Sequence, residues 1–419
     1  MLRAAVAAAV DDAGLGGRSL LERATWVGVS EGAWSHPDPG RLVAVDPGAH
    51  TVLTRVGVLQ QELVDRAISA VAQGGAPAAL VVGAEANAGS SARATGAVAS
   101  ARKSEAAPDE LVETGDFGIS PLEFATGLFD PPTVYALLES AWGAAQGWTP
   151  PEHVARLEAL QQKFAAVAAA NPYAWTREPP AQVAVPGPDN RLVASPYTKL
   201  CCSNMRVNQG AALLLTTVGA ARAAGVAEDR WVFPEASAVG NHAVPVVQRP
   251  ALHRSPNAEA VFAALPDVGA VDHVDLYSCF PVAVQVAAAA LGREPATVTG
   301  GMTFAGGPLN SYALHGLATM VGVLRGAPGS RGLVTSVSGF LTKYGGSTWS
   351  TTPPPSPWTA ADVTMAAAER CGAHHDEAEQ LPGPAVVVAR TVEHARNGST
   401  RSVSILEGAT GVRTVEIDR

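Results

Sequence analysis

Apolar and polar positions along this chain alternate in two rhythms. Runs of strand length, TWVGVSEG at 25–32, TVLTRV at 51–56 and ALVVGAEA at 79–86, flank a helical stretch at 59–73 and follow another at 3–13 that ends near Gly14. Strand, helix and strand at this spacing predict a βαβ unit with parallel strands. The intervening 36–48, broken by Pro and Gly, reads as a loop with a short helical turn. From 87 to 195 the pattern loosens around two helices at 131–145 and 150–170, and the βα rhythm returns at Asn208, with another strand at 230–239.

The most informative stretch runs from His273 to Leu317. It opens with a strand, His273 to Tyr277, then a helix from Val282 to Leu291 for which Ser278 is the expected cap. Thr297 to Met302 reads as a second strand, followed by a tight turn through Gly300, Gly301, Gly306, Gly307 and Pro308 and a helix from Tyr312 to Arg325. After the prolines at 353–357 a helix is expected near 359–371. Three alternating strands, AVVVARTVEH, RSVSILEG and VRTVEIDR, follow, parted by Asn397-Gly398 and Gly411. They predict a small antiparallel sheet, docked on the main body or forming part of a barrel. No internal repeat is visible.

Composition narrows the function classes. With 47% hydrophobic residues the 419-residue chain has material for a large core, mostly Ala and Val, and only 5% is aromatic. A net charge of -9 without any basic run argues against a nucleic-acid partner. No stretch is long and apolar enough for a membrane span, and Asp11 and Asp12 interrupt the Ala-rich start, so it reads as a helix rather than a leader. Four cysteines with no CxxC pair give no zinc spacing, and they read as reduced thiols of a cytoplasmic protein. Cys201-Cys202 read as structural thiols, and His374-His375-Asp376-Glu377, though metal-like in composition, as a solvated run, so no metal is expected.

The segments DLYSCFP and VTGGMTFAGGPLN resemble the second half of the thiolase superfamily, where an Asn-Glu-Ala-Phe or His-Asp-Cys-Phe turn precedes a Gly-His-Pro turn. The resemblance is to thiolase-like proteins near the sterol-carrier-protein thiolases, of the acetyl-CoA acetyltransferase kind, and spans about Arg3 to Pro353. It implies an α/β fold of five layers, αβαβα, built from two half-domains with mixed sheets, 1–228 and 229–355. An inserted helical loop domain at about 87–195 and a β-rich extension at 356–419 complete it. It also implies an acyl-CoA substrate, a role in lipid metabolism, a homodimer, and partner proteins with a zinc ribbon and an oligonucleotide-binding (OB) fold. Relatives carry one more strand ahead of the first helix, so a central strand of the first sheet is expected to be missing or supplied from elsewhere.

Thiolase chemistry needs a nucleophilic Cys, an activating His, a second Cys for proton transfer and an oxyanion-holding group. The resemblance puts Gly57 at the nucleophile, Gly307 at the His of the Gly-His-Pro turn, Tyr277 at the oxyanion-orienting residue, and Ser336 or Ser338 at the second Cys. Glycine cannot be acylated and serine is too weak an acid for a thiol's work, so double-displacement thiolysis is excluded.

Two function classes remain. One is a C–C bond-making or -breaking enzyme that uses no acyl-enzyme and works by aldol- or Claisen-type proton transfer through Tyr277 and Tyr344, with His315 as a further candidate. The other is a silent thiolase-like subunit, its tyrosines filling an abandoned site. His242 is a candidate for the acyl-CoA tunnel, and Cys279 lies on the matching turn. Met205 stands where relatives use a Ser against the pantetheine arm. A coenzyme A thioester is the expected substrate, and no covalently bound cofactor is expected.

Overall fold

The computed structural model describes residues 1–34, 36–89 and 106–418; the expected loop domain's 90–105 lie outside them. The first half contains α1 (Leu2–Asp12), α2 (Gly17–Glu22), β1 (Ala24–Ser30), β2 (His50–Thr54), α3 (Gln60–Ala72) and β3 (Ala78–Ala86). Next come β4 (Glu110–Val112), α4 (Pro121–Thr126), α5 (Pro131–Ala145), α6 (Pro150–Ala170), β5 (Leu192–Ala194) and β6 (Tyr197–Thr198), and then β7 (Asn208–Thr216) and α7 (Val218–Ala224). The second half holds β8 (Phe233–Gly240), α8 (Pro256–Ala264), β9 (His273–Asp275), α9 (Pro281–Leu291), α10 (Gly301–Phe304), α11 (Tyr312–Gly326), β10 (Arg331–Ser338) and β11 (Lys343–Ser350). Last are β12 (Thr359–Asp362), α12 (Thr364–Cys371), β13 (Ala385–His394), β14 (Thr400–Gly408) and β15 (Arg413–Asp418).

Two mixed sheets, ordered β4-β2-β1-β3-β7 and β12-β8-β11-β10-β9, sandwich the helices α3 and α11. Helices α1 and α2 cover the outer face of the first sheet, and α8 and α9 lie on the far side of the second. This is the five-layered thiolase-like arrangement. Alternation along the strands explains it: Val27, Val29, Leu80 and Val82 pack toward α1, whereas Ala79 and Val81 pack toward α3 and α11 with Leu63, Leu314 and Val334. Each fully buried Leu or Val adds about 1.5–3 kcal/mol. The short strands can be doubly covered because their side chains are small; a Cβ on Gly28 would meet Leu63 at 2.7 Å.

The first sheet closes without the expected extra central strand. β1 pairs directly with β3, Val27 opposite Leu80, and β4 joins the outer edge of β2, Val52 opposite Glu110. The C-terminal strands fall where expected and, of the two alternatives, they dock on the main body. β13 takes up β5, which pairs with β6, giving a third, antiparallel sheet ordered β15-β14-β13-β5-β6.

Three local expectations are corrected. Ser278 does not cap α9; its hydroxyl accepts the Met302 amide at 3.0 Å, and α9 begins after Phe280 with Pro281 in its first turn. Thr297 to Met302 is not a strand. Asp275 Oδ1 accepts from Thr297 Oγ1 at 2.7 Å and from the Val298 and Thr299 amides at 2.9 and 3.3 Å, which bends the segment into a turn that Gly300 hands to α10. Finally, 359–362 is strand β12 rather than helix, because it pairs in parallel with β8.

The loop domain is clamped to the second half by a buried polar cluster. Glu139 of α5, fully buried, accepts from Tyr197 Oη at 2.7 Å and from Gln285 Nε2 of α9 at 2.9 Å, and meets His153 Nε2 of α6 at 2.6 Å. Four segments are thus fixed by one carboxylate whose oxygens are all used.

Candidate functional site

The N-termini of the two central helices converge at the heart of the molecule. Gln60, first residue of α3 and buried, accepts the Ala313 amide of α11's first turn at 2.6 Å, so one chain group fills a donor that would otherwise face a ligand. Tyr277 reaches the same Gln60, its ring edge-on to Tyr312 at 5.5 Å and its amide donated to Thr335 Oγ1 at 2.8 Å. Tyr312 Oη shares hydrogen bonds with Thr299 Oγ1 at 2.6 Å and Ser278 Oγ at 3.3 Å. Burial pushes the Tyr277 and Tyr312 hydroxyls well above the usual phenol range.

Gly57 precedes α3 with φ of 105°, a conformation that favours glycine. Its carbonyl accepts from Ser338 Oγ at 2.9 Å and from Lys343 Nζ at 3.1 Å. Lys343 also donates to Thr114 Oγ1 at 3.1 Å and lies 5.6 Å from the Phe117 ring centroid, and burial pulls its amine below the usual lysine range. A Cβ on Gly57 would stand 2.4 Å from Phe117 Cζ and 2.6 Å from Thr114 Oγ1. The space a nucleophile would need is therefore occupied by the 114–117 segment. Lys343, Thr114 and Phe117 escaped the sequence reading; the one available signal was a lysine inside the otherwise apolar and small-residue stretch KYGG.

Gly307 is closed by a different neighbour. Its amide donates to the Asn204 carbonyl at 2.9 Å, and a Cβ there would lie 2.0 Å from Ser203 Oγ. Of the two serine candidates, Ser338 touches Gly57, while buried Ser336 points its hydroxyl at the Gly345 backbone, 2.7 Å from where a Cβ would be. Tyr344 turns the other way from Lys343, out to α8, edge-on to Phe262 at 5.6 Å. Tyr277 and Tyr344 thus have different ring neighbours, Tyr312 and Phe262, within one buried cluster, and Tyr344 also reaches Thr335, which holds the Tyr277 amide.

The other candidates are scattered. Cys279 has its thiol pushed up to about 12 by burial, and Cys201 and Cys202 are at about 11 and 12 for the same reason, which makes all three weak nucleophiles. Met205 is 50% exposed and plugs nothing. His242 lies beside His374, with ring centroids 5.5 Å apart. His315 lines a groove of about 1370 Å³ between α1, β7 and α11, together with Trp349 and Trp358.

Burial pushes His315 down to about 4, and its Nε2 has no hydrogen-bond partner among the described residues. Because the folded value lies below the ordinary 6.5, the unfolded chain protonates first. The contribution is complete above that value and is lost as pH falls toward 4. His315→Leu is therefore expected to flatten the stability profile over this window by about one proton, a slope of about 1.4 kcal/mol per pH unit, in denaturant titrations. Asp65, raised to about 6 by burial, changes in the opposite sense in the same window, so the wild-type-minus-variant difference is the quantity to read.

A second substitution tests the closed pocket. Gly57→Cys is expected to cost about 1–3 kcal/mol, because φ of 105° strains any side chain and Phe117 must swing out. It should confer no thiolase turnover, since Gly307 supplies no imidazole. Acetoacetyl-CoA cleavage assayed on the folded variant checks this.

No protein-family description matches this sequence, and no curated protein does. Among solved structures, the crystal structure of a monomeric SCP2-thiolase like protein type 1 from Mycobacterium smegmatis matches with a TM-score of 0.81 and 26% sequence identity, over 98% of this chain and 86% of that one. That relative is described as monomeric and gives the expected homodimer no support. Among the described residues no helix is long and apolar enough to cross a membrane.

Proposed function

We propose that this chain, a thiolase-like protein, is silent toward thiolysis and serves as a subunit that binds an acyl thioester or a partner enzyme. The observation that carries the reading is the crowding at Gly57, where Phe117 and Thr114 stand in the space a side chain would need and Ser338 and Lys343 hold the backbone carbonyl. Binding remains chemically reasonable on such a scaffold because it needs shape and backbone contacts, not a nucleophile. The aldol-type alternative keeps one supporting observation, Tyr277 at the meeting point of α3 and α11. Its expected second tyrosine, Tyr344, faces Phe262, and the tyrosine that does stand beside Tyr277 is Tyr312, whose hydroxyl is engaged by Thr299 and Ser278.

Calorimetry with acetyl-CoA, acetoacetyl-CoA and a longer acyl-CoA, run beside product analysis, separates the readings. Reversible binding without turnover is expected. Thiolytic release of acetyl-CoA would overturn the proposal, and cleavage of a 3-hydroxyacyl-CoA to an aldehyde would favour the aldol route. If no thioester binds, co-purification with a zinc-ribbon and OB-fold protein becomes the test of the partner arm.

A further inference from the structure

Three side chains from two segments distant in sequence converge on the outer side of the second half. His242 follows β8, Cys371 ends α12, and His374 lies three residues beyond it. Each offers one ligand atom, and these atoms all lie within 4.8 Å of one another. His242 Nε2 is buried and has no hydrogen-bond partner among the described residues. Its backbone is fixed on both sides, the amide donating to Asn257 Oδ1 at 3.0 Å and the carbonyl accepting from Asn257 Nδ2 at 3.0 Å.

The neighbouring polar run is otherwise engaged: the His375 ring bonds the Gly411 carbonyl at 2.8 Å, and Glu377 accepts from Gln248 at 3.2 Å. Only His374 of that run joins the trio, which is why composition alone could not reveal it. Beside the trio sits a cavity of about 60 Å³, lined in part by Arg249, Arg254 and Arg370.

We propose that His242, Cys371 and His374 bind a transition-metal dication of the Zn²⁺ type. Imidazole and thiolate are both ligand types this ion takes, and Cys371 to His374 has the short C-x-x-H spacing of a chelating pair. Zinc holds such ligands at about 2.0–2.3 Å, so the trio closes on the ion by rotation of exposed His374. Binding releases the Cys371 thiol proton to solvent, leaving a site of charge +1. The nearby cations are partly offset: Arg254 is paired with Glu259 at 2.6 Å. The fourth coordination position faces the arginine-lined cavity and takes water or a small anion. The ion would staple α12, which leads into the C-terminal sheet, to the loop after β8. This proposal is independent of the acyl-thioester reading.

The test uses the full chain, freed of metal, with ZnCl₂ titrated by calorimetry and Cys371 reactivity mapped by alkylation and peptide mass spectrometry. One Zn²⁺ per chain is expected, with Cys371 protected from alkylation when the ion is present. Cys371→Ser, and His374→Ala at an exposed position that leaves the core intact, should each weaken binding by more than about 100-fold, the upper range for losing even an outer-shell partner. Unchanged binding in either variant, unprotected Cys371 in the zinc-loaded protein, or no zinc binding by the wild type would each overturn the assignment.

Discussion

Glu139→Ala is expected to destabilise the protein by about 3–5 kcal/mol, among the largest losses of any single polar substitution here. The carboxylate is fully buried, and removing it strands three partners at once: the Tyr197 hydroxyl at 2.7 Å, the Gln285 amide at 2.9 Å and the His153 ring at 2.6 Å. None of these is replaced by water without opening the junction of α5, α6, β6 and α9. Denaturant titration reads the loss. The deficit should be nearly insensitive to salt, because the cluster is shielded from the screening that weakens surface pairs. A loss under about 1 kcal/mol would mean that the four segments are held together by apolar contact alone.

Gly300→Ala is expected to cost about 3–5 kcal/mol by a different route, adding backbone strain to overpacking. Gly300 has φ of 100°, and a Cβ there would lie 2.4 Å from Ala168 Cβ, 2.5 Å from its Cα and 2.6 Å from its N. Those last two atoms are α6 backbone, which cannot yield as a side-chain tip can. The helix must back away, carrying Phe164 with it, whose ring faces Gly301. Hydrogen exchange should therefore accelerate along α6 in the variant. Gly292→Ala is the control: φ is 68° but the space around it is open, so only the conformational cost of about 1 kcal/mol is expected. Equal effects at the two positions would contradict the packing argument.

The helices were the most legible elements, because their signals are local. Pro150 and the Thr149–Glu152 capping box mark where α6 starts, and Pro131 does the same for α5. The elements misread were those decided by distant partners. Thr297, Val298 and Thr299 have the β-branched composition of a strand, yet Asp275, 22 residues earlier, takes their hydroxyls and amides instead. Thr359 to Asp362 looks helical by its alanines and becomes a strand only because β8 offers an unpaired edge. Strands β4, β5 and β6 span two or three residues each and are set wholly by what they pair with.

The site divides in the same way. The thiolase-like motifs put Gly57 and Gly307 at the nucleophile and histidine positions as an expectation, and Ser338, also picked out, lies against the Gly57 carbonyl. What surrounds Gly57 was not visible, since Phe117 arrives from the loop domain and Lys343 from β11, both far from Gly57 along the chain. Tyr344 was chosen beside the residue that does reach the pocket, on the opposite face of the same strand; strand alternation settles that only once the facing helices are known.

The central proposal is that Gly57, the residue the resemblance sets at the nucleophile position, is crowded by Phe117 and Thr114 and takes part in no covalent acylation. Mass spectrometry of the intact protein and its peptides, after exposure to acetyl-CoA and longer acyl-CoA thioesters, tests it most directly. The account predicts an unchanged mass and four unmodified cysteines. A stable acyl adduct on Cys279, or on Lys343 beside Gly57, would contradict it.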